Sequence, residues 1–188
     1  MAKLDATYIN TANKIKVLDI IRNSEFVSRA EISKRADLSA PTVTRIVDSL
    51  INSEKIVEEV GTGSSEGGRP PSLIRFSGSD KYVIAIDLGT THIDGIVANL
   101  DAEIRTEMRI PTFVESGYEE VIGRTALLVR DLVDRSGIPS SKILGIGMAV
   151  AGLVDRRRNV VEYSPDFGWH DADIVADLRK SVPFPIVF

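Results

Sequence analysis

The residues best suited to chemistry with a ligand are grouped near the start of one short predicted helix. Ser39, Pro41, Thr42, Thr44 and Arg45 fall within seven positions, and all are small, hydroxylated or cationic. Such side chains suit the edges of DNA bases, thymine methyl groups and phosphates, and a helix N-terminus also attracts phosphate. A plain helical hairpin with a solvated outer face would show the same residue types, so the pattern alone is a weak indication.

One further cation, Arg69, ends a stretch rich in glycine and serine at 61–68 and is followed by two prolines. Glycines let a backbone approach DNA closely, prolines keep an arm extended, and arginine enters narrow minor grooves. A flexible linker is the alternative interpretation. Strands predicted on both sides, at 56–60 and 72–76, favour a wing that contacts DNA.

Two helix starts position the residues near Ser39. Ser28 and Glu31 have the spacing of a capping box, in which the serine hydroxyl accepts from a backbone N–H and Glu31 reaches back to the amide of Ser28. A short turn at 37–38 follows, and Ser39 then caps the second helix, with Pro41 in its first turn. The inward side of that helix is an apolar stripe at helical spacing, formed by Val43, Ile46, Val47, Leu50 and Ile51.

A first helix over 9–23 is predicted to pack beneath the other two. Its inward side is expected to consist of Ile9, Ala12, Ile15, Val17, Leu18, Ile20 and Ile21. The polar residues 77–80 mark a boundary. We therefore predict a winged helix-turn-helix domain over 1–78 and a second domain over 81–188.

The second segment predicts an α/β lobe with a mixed sheet and flanking helices. Strands are expected at 82–88, 93–99, 103–110, 143–150 and 160–163, with another beginning at 185. The first three form an antiparallel meander. Helices are expected from 116 or 117 to 136 and over 173–181, and Gly137 ends the longer one. Its inward residues are Val121, Ile122, Thr125, Leu128, Val129 and Leu132.

Composition narrows the class of protein. The chain has no cysteine, which excludes disulfides and thiolate zinc sites within it. The N-terminus does not resemble a signal peptide and no apolar run is long enough to span a membrane, so a cytoplasmic protein is expected. Residues 1–80 hold eleven Lys/Arg and eleven Asp/Glu, so a DNA-binding domain here has no overall basic excess. This neutrality favours a homodimer that adds two weak DNA contacts.

Taken in order, four motifs resemble those of the ROK family of repressors and sugar kinases. They are GGRPP at 67–71, Asp-Leu-Gly-Thr-Thr-His at 87–92, GIGMAVAGLVD at 145–155 and SPDFGWHD at 164–171. The resemblance covers nearly the whole chain. It implies the winged helix that repressor members carry and kinase members lack, followed by the first lobe of an actin-like, ribonuclease-H-like ATPase fold, here incomplete.

The resemblance also implies a role for the turn at Asp87. In this fold the corresponding turn cradles ATP phosphates, with Gly89 allowing close approach and with Thr90 and Thr91 forming an anion nest. Asp87 would hold a metal through water. Thr90 stands where the kinases have a second glycine, and its Cβ narrows that approach. The alternative is that the turn is the inherited hairpin of the fold and binds nothing.

Two departures from the family pattern fall near the sugar pocket of relatives. Gly152 is preceded by alanine where the family usually has proline, and Asp166 stands where asparagine is common. The catalytic aspartate and the His/Cys zinc motif that the resemblance implies after the strand at 185 do not occur in the chain. His92 and His170 lack zinc-ligand spacing, so no metal is expected.

The expected function is a DNA-binding transcriptional regulator that represses genes of carbohydrate uptake or metabolism, without enzymatic activity or cofactor. Its partners would be a double-stranded operator, a second copy of the chain and, with a complete ROK domain, a sugar or sugar phosphate effector. An ATP-dependent sugar kinase is the alternative from the enzyme class. A truncated regulator that acts as an interaction module is the third interpretation.

Overall fold

The described part of the first of two units, residues 1–78, contains three α-helices, a five-residue π-helix (Leu50–Glu54) and a small antiparallel sheet. The structure, a computed structural model, describes residues 6–63 and 70–188. The elements of this unit are α1 (Ala6–Arg22), β1 (Val27–Ser28), α2 (Arg29–Ala36), α3 (Ala40–Ser49), β2 (Val57–Thr62) and β3 (Ser72–Phe76). The sheet has the order β1-β3-β2.

The predicted inward side of α1 is wrong in its N-terminal half. Val17 and Ile21 are fully buried, but Ile9 and Ile15 are 45% and 56% exposed. Ala12 is exposed as well. Apolar residues at helical spacing are buried only where another element covers them, and the described part of this unit leaves Ile9, Ala12 and Ile15 uncovered.

Only one of the two hydrogen bonds predicted for the capping box before α2 is observed. The Ser28 hydroxyl accepts a hydrogen bond from the backbone N–H of Glu31 over 3.2 Å. The carboxylate of Glu31 lies instead 3.6 Å from Arg35 on the next turn. The predicted reach of Glu31 back to the Ser28 amide is therefore not observed, and Ser28 itself belongs to strand β1, which pairs with β3.

Strand β1 was not predicted, since two residues are too short to show a period. Val27 pairs with Ile74 in β3 and is buried, so this short strand anchors the sheet beneath α2. Strand β2 runs two residues further than predicted and contains a register shift between Glu59 and Thr62. Strand β3 matches its predicted bounds.

The second unit, residues 79–188, is built on a five-stranded mixed sheet. Its elements are β4 (Tyr82–Leu88), β5 (His92–Asn99), β6 (Ile104–Pro111), α4 (Tyr118–Ser136), β7 (Ile143–Val150), β8 (Leu153–Asp155), β9 (Val160–Ser164), β10 (Trp169–Ala172), α5 (Ile174–Leu178) and β11 (Ile186–Val187). The sheet order is β11-β7-β4-β5-β6. The meander β4-β5-β6 is antiparallel as predicted, whereas β7 pairs in parallel with both β4 and β11.

Helix α4 covers one face of that sheet. All six residues predicted to point inward are buried, and the five apolar ones belong to one core with β4, β5 and β7. Gly137 ends the helix in the left-handed conformation, as predicted. Within the described residues, no helix is long and apolar enough to cross a membrane.

A second sheet, of order β10-β9-β8, was predicted only at its central strand. Strands of three and four residues give little periodic signal, so β8 and β10 were missed. Helix α5 is shorter than predicted. Asp173 caps it by accepting from the N–H of Ala176 over 2.9 Å, and Pro183 follows soon after its end.

Candidate nucleic-acid interface

Helix α3 starts with the cap that the sequence predicted. The Ser39 hydroxyl accepts from the backbone N–H of Thr42 over 3.4 Å and lies 2.8 Å from the hydroxyl of Thr42. Asp37 adopts a left-handed conformation at the end of α2, which turns the chain into α3. The hydroxyls of Ser39 and Thr42 are therefore held at the helix N-terminus, where the helix dipole favours an anion.

The two sides of α3 differ sharply. Val43, Ile46, Val47 and Leu50 are buried at 4% exposure or less, which fixes one side of the helix against the core. The opposite side is an exposed stripe at helical spacing, which we call the α3 outer stripe, formed by Pro41, Thr44, Arg45 and Asp48. A helix can fit into a major groove when one side is packed against the core, the outer side is polar and the helix begins with a cap.

Arg45 has a neutral partner in the unbound structure. Its Nη2 donates to the Oδ1 of Asn10 in α1 over 3.1 Å. Since this partner carries no charge, it does not offset the positive charge of the guanidinium on the outer stripe. Asn10, in the second turn of α1, therefore holds Arg45 in the outer stripe, a contact between residues 35 positions apart that no local sequence pattern predicts.

Asp48, at the far end of the outer stripe, is paired with a cation. Arg29 Nη2 donates to its Oδ1 over 2.9 Å, and Arg29 Nη1 donates to Glu59 Oε1 in β2 over 2.6 Å. Hydrogen bonds from Arg29, and next from Ser72, lower the pKa of Glu59. Arg29 thus joins α3 to the first wing strand.

Other basic residues near α3 differ in their pairing. Arg35 on α2 bonds the Ser24 hydroxyl and lies near Glu31. Lys34 is exposed, and no ion pair within residues 6–63 and 70–188 includes it. Arg69, the predicted minor-groove contact, lies outside the described residues.

The turn predicted to hold phosphate is closed by its own chain. The backbone N–H of Gly89 donates to the carbonyl of His92 over 3.1 Å, and the Thr112 hydroxyl donates to the carbonyl of Gly89 over 2.6 Å. The Thr91 hydroxyl lies 3.2 Å from the His92 ring. A Cβ on Gly89 would lie 3.0 Å from the carbonyl of His92, so the tight hairpin itself accounts for glycine at this position.

The remaining members of this turn differ in their exposure to solvent. Asp87 is exposed and lies in register with Asp94 on β5 and Ala149 on β7. Asp94 is itself bonded to Arg109 over 2.5 Å. Thr90 is half-buried. No cluster of three His, Asp or Glu residues that could hold a metal occurs among the described residues.

The two sugar-pocket candidates lie at the same end of the small sheet. A Cβ on Gly152 would lie 2.7 Å from the carbonyl of Tyr163 and 2.9 Å from the side chain of Ser164. Asp166 is exposed in the turn that follows, two residues after Ser164. Close packing therefore explains why a glycine stands at position 152, and the Asp166 carboxylate is accessible to solvent.

Comparison with known proteins agrees with this architecture. Residues 83–188 match the ROK family, which is more than half of the chain, and residues 11–57 match winged helix-turn-helix DNA-binding domains. The chain belongs to the ROK family. It is 30% identical to a putative xylose repressor of Caldicellulosiruptor sp. (strain Rt8B.4), over 95% of the chain and 44% of that protein. It is also 30% identical to the xylose repressor of Bacillus subtilis (strain 168), over 97% of the chain and 47% of that protein.

The crystal structure of a ROK family transcriptional regulator, a homolog of the E. coli MLC protein, shares the fold. The TM-score is 0.80 at 18% identity, covering 95% of this chain and 45% of that one. The winged helix-turn-helix followed by a ROK-type α/β lobe is thereby confirmed as the fold class. The chain spans less than half the length of the curated relatives it matches.

Two residues of the interface were missed from the sequence, Arg29 and Asn10. Arg29 is the second residue of the capping box, where the sequence assigns it no role, and its partners Asp48 and Glu59 are 19 and 30 residues away. Ion pairs at such separations carry no periodic signal. The only feature of the sequence that pointed to Arg29 was that a charged residue stood at the first position of a predicted helix.

Proposed function

We propose that this chain binds double-stranded operator DNA through α3, as part of a sugar-responsive repressor of genes for carbohydrate uptake or metabolism. The observation that carries the proposal is the outer stripe of α3, which is exposed and polar while the opposite side of the same helix is fully buried. The match of residues 11–57 to winged helix-turn-helix DNA-binding domains supports it.

The residues predicted to form the interface on α3 each have a proposed role in DNA binding. Thr44 and Arg45 contact base edges, and Pro41 packs against a thymine methyl group. Ser39 and Thr42, at the helix N-terminus, contact phosphate through hydroxyl and backbone N–H groups. Loss of a bidentate arginine–guanine contact costs roughly 1–3 kcal/mol and relaxes the preference at that base pair.

The second unit is proposed to sense a sugar rather than to transfer a phosphoryl group. Relatives named xylose repressors support a sugar or sugar phosphate effector, bound near Gly152 and Asp166 once a complete ROK domain is present. A sugar releases DNA only if it binds two conformations with different affinity. The role requires no cofactor and no catalysis.

A homodimer is proposed as the DNA-binding form. Residues 1–80 carry equal numbers of cations and anions, so one domain has little general attraction for phosphate. Two domains on one duplex add their contacts and read a two-fold symmetric operator, with half-sites about one helical turn apart or a multiple of it. Such a regulator acts in the cytoplasm, where the chromosome is.

Selection of bound sequences from a random DNA pool tests the proposal. Wild type is expected to enrich a sequence with two-fold symmetry, and Arg45→Ala to lose preference at one base pair of each half-site. Arg130→Ala, at an exposed arginine on α4 in the other unit, is the matched control and should enrich the wild-type sequence. If wild type enriches no sequence, the DNA-binding proposal is wrong.

A further inference from the structure

Arg29 occupies a place between the two DNA-binding elements of the first unit. It is the first residue of α2, and its guanidinium bonds Asp48 on α3 over 2.9 Å and Glu59 on β2 over 2.6 Å. The Arg29 side chain is 27% exposed, whereas the two carboxylates are 50% and 45% exposed. The cation is therefore the more buried member of both pairs.

The other ion pairs in the described part of this unit have different partners, and the pair of Glu31 and Arg35 lies within α2. Within residues 6–63 and 70–188, Lys14 pairs with Glu54 after α3, and Arg75 of β3 pairs with Glu58 of the neighbouring strand β2. Of the pairs in this described part, those of Arg29 alone reach from α3 to β2.

An open groove separates α3 from β2 at this point. It has a volume of about 550 Å³, and its walls include Ile51, Asn52, Lys55, Val57, Glu58 and Ser77 in addition to the Arg29 triad. The walls are mostly polar, with Ile51 and Val57 as their apolar members, and the two bonds of Arg29 span the groove from α3 to β2. The planar guanidinium can hold one carboxylate with each of two N–H groups, which the single ammonium of a lysine does not do in one fixed geometry.

We propose that Arg29 is a positioning residue for DNA binding, which sets the placement of strand β2 relative to the outer stripe of α3. The inference rests on the proposed function. A wing and a recognition helix held at a fixed angle meet DNA together, whereas a loose wing must be ordered during binding at a cost in affinity. Arg29 also offsets the charge of Asp48, which otherwise faces the phosphates from the outer stripe.

Three variants separate positioning from charge. Arg29→Gln removes the cation and the bridge, and Arg29→Lys keeps the cation and removes the two-pronged bridge. Arg75→Gln is the matched control, because it removes one cation from the same small sheet, where Arg75 bonds Glu58 over 2.6 Å and does not reach α3. Affinity is measured by fluorescence anisotropy on the DNA selected by wild type, and thermal unfolding is recorded for each variant.

Both Arg29 variants are expected to bind about tenfold more weakly than wild type while keeping the wild-type base preference. Arg75→Gln should stay within about threefold of wild type, since exposed ion pairs contribute little. Hydrogen exchange of the β2 amides in the DNA-free protein should be faster in both Arg29 variants and unchanged in Arg75→Gln. This readout does not depend on DNA binding.

Several results would overturn the inference. Full affinity in Arg29→Lys means that charge alone matters, and an equal loss in Arg75→Gln means that any lost cation has the same effect. If Arg29→Gln does not fold, Glu59→Ala decides, because it removes the acceptor on β2 and leaves Arg29 bonded to Asp48; unchanged affinity and exchange would then refute the role. If wild type selects no sequence, the proposed function fails first and this inference with it.

Discussion

Arg45 and Asn10 are joined by a hydrogen bond of 3.1 Å between the guanidinium Nη2 and the amide Oδ1. The residue proposed to read a base is therefore held against α1 in the free protein. A long, flexible side chain that is already ordered loses less rotamer entropy when it binds. Asn10 accordingly acts on Arg45 before DNA arrives, and it has no charge that would compete with the DNA for the guanidinium.

Asn10→Ala is expected to weaken binding of the selected operator by about two- to threefold, since it removes ordering of one side chain and no DNA contact. The loss should be the same on operators with single base changes, because Arg45 itself is intact. Anisotropy titrations on the selected site and on a set of single-base variants measure both. A change in base preference with Asn10→Ala would show that Asn10 contacts a base directly.

How much the sequence could predict depends on how local the determining interactions are. The six inward residues of α4 follow a 3.6-residue period over about three turns, and all six are buried. Ile9 and Ile15 follow a similar period in α1 and are exposed, because periodicity shows which residues share a side and not whether an element covers it. Burial depends on distant parts of the chain.

The candidate site shows the same difference between local interactions, which could be predicted, and long-range ones, which could not. The cap made by Ser39 and the buried stripe of α3 depend on residues within four positions of each other, and both were predictable. The hairpin bond from Gly89 to His92 spans three positions, but the sequence did not show that the glycine N–H would be used there. Arg29 has partners 19 and 30 residues away, which only the folded chain brings together.

Gly152 is expected to tolerate no side chain. An added Cβ would lie 2.7 Å from a backbone carbonyl oxygen, that of Tyr163, so the turn between β7 and β8 must shift. Gly152→Ala should lower the free energy of unfolding by roughly 1–3 kcal/mol, as measured by urea denaturation.

Gly123→Ala is the matched control. Gly123 lies in α4 with nothing within 4 Å of an added Cβ, so alanine there should be neutral or stabilising. Equal effects of the two substitutions would contradict the steric argument.

Tyr118 links the start of α4 to α5. Its hydroxyl donates to Asp177 Oδ2 over 2.6 Å, and its ring packs edge-on against Trp169 at 5.2 Å. Burial, and then the bond to Asp177, raise the pKa of Tyr118, while bonds from Lys180 and next from Tyr118 lower the pKa of Asp177.

Tyr118→Phe keeps the ring and removes the bond, so it should lower the midpoint of thermal unfolding by a few degrees. A raised tyrosine pKa contributes stability below the ordinary tyrosine range and loses it at higher pH. A lowered aspartate pKa contributes stability above the ordinary aspartate range and loses it in acid. The difference between wild type and Tyr118→Phe should therefore be constant from about pH 5 to 9 and shrink outside that window. Scanning calorimetry across pH tests this, and a difference that grows in acid would contradict it.

The chain of 188 residues is expected to show no sugar-dependent ATP turnover. The Gly89 N–H is already bonded to the carbonyl of His92 and so is not available to a phosphate, and activation of a sugar hydroxyl needs a positioned carboxylate base. A coupled assay with ATP, magnesium and a panel of monosaccharides should give the same background for wild type and Asp87→Ala. A rate above buffer that survives purification and disappears in Asp87→Ala would contradict the expectation.

Arg69→Ala is expected to lower affinity and to flatten any preference for A·T-rich DNA flanking the half-sites. Arg69 follows two glycines and precedes two prolines, a sequence suited to an extended arm in a narrow minor groove. Readout there distinguishes mainly A·T from G·C, so the base preference that α3 gives in the major groove should persist. Sequence selection with wild type and Arg69→Ala, repeated at two salt concentrations, measures this, and the salt slope should fall by about one for one lost phosphate-type contact. Lys81→Ala, which removes one cation from the second unit, is the control and should leave flank preference unchanged. If Arg69→Ala keeps wild-type affinity and flank preference, Arg69 does not contact DNA and α3 alone reads the operator.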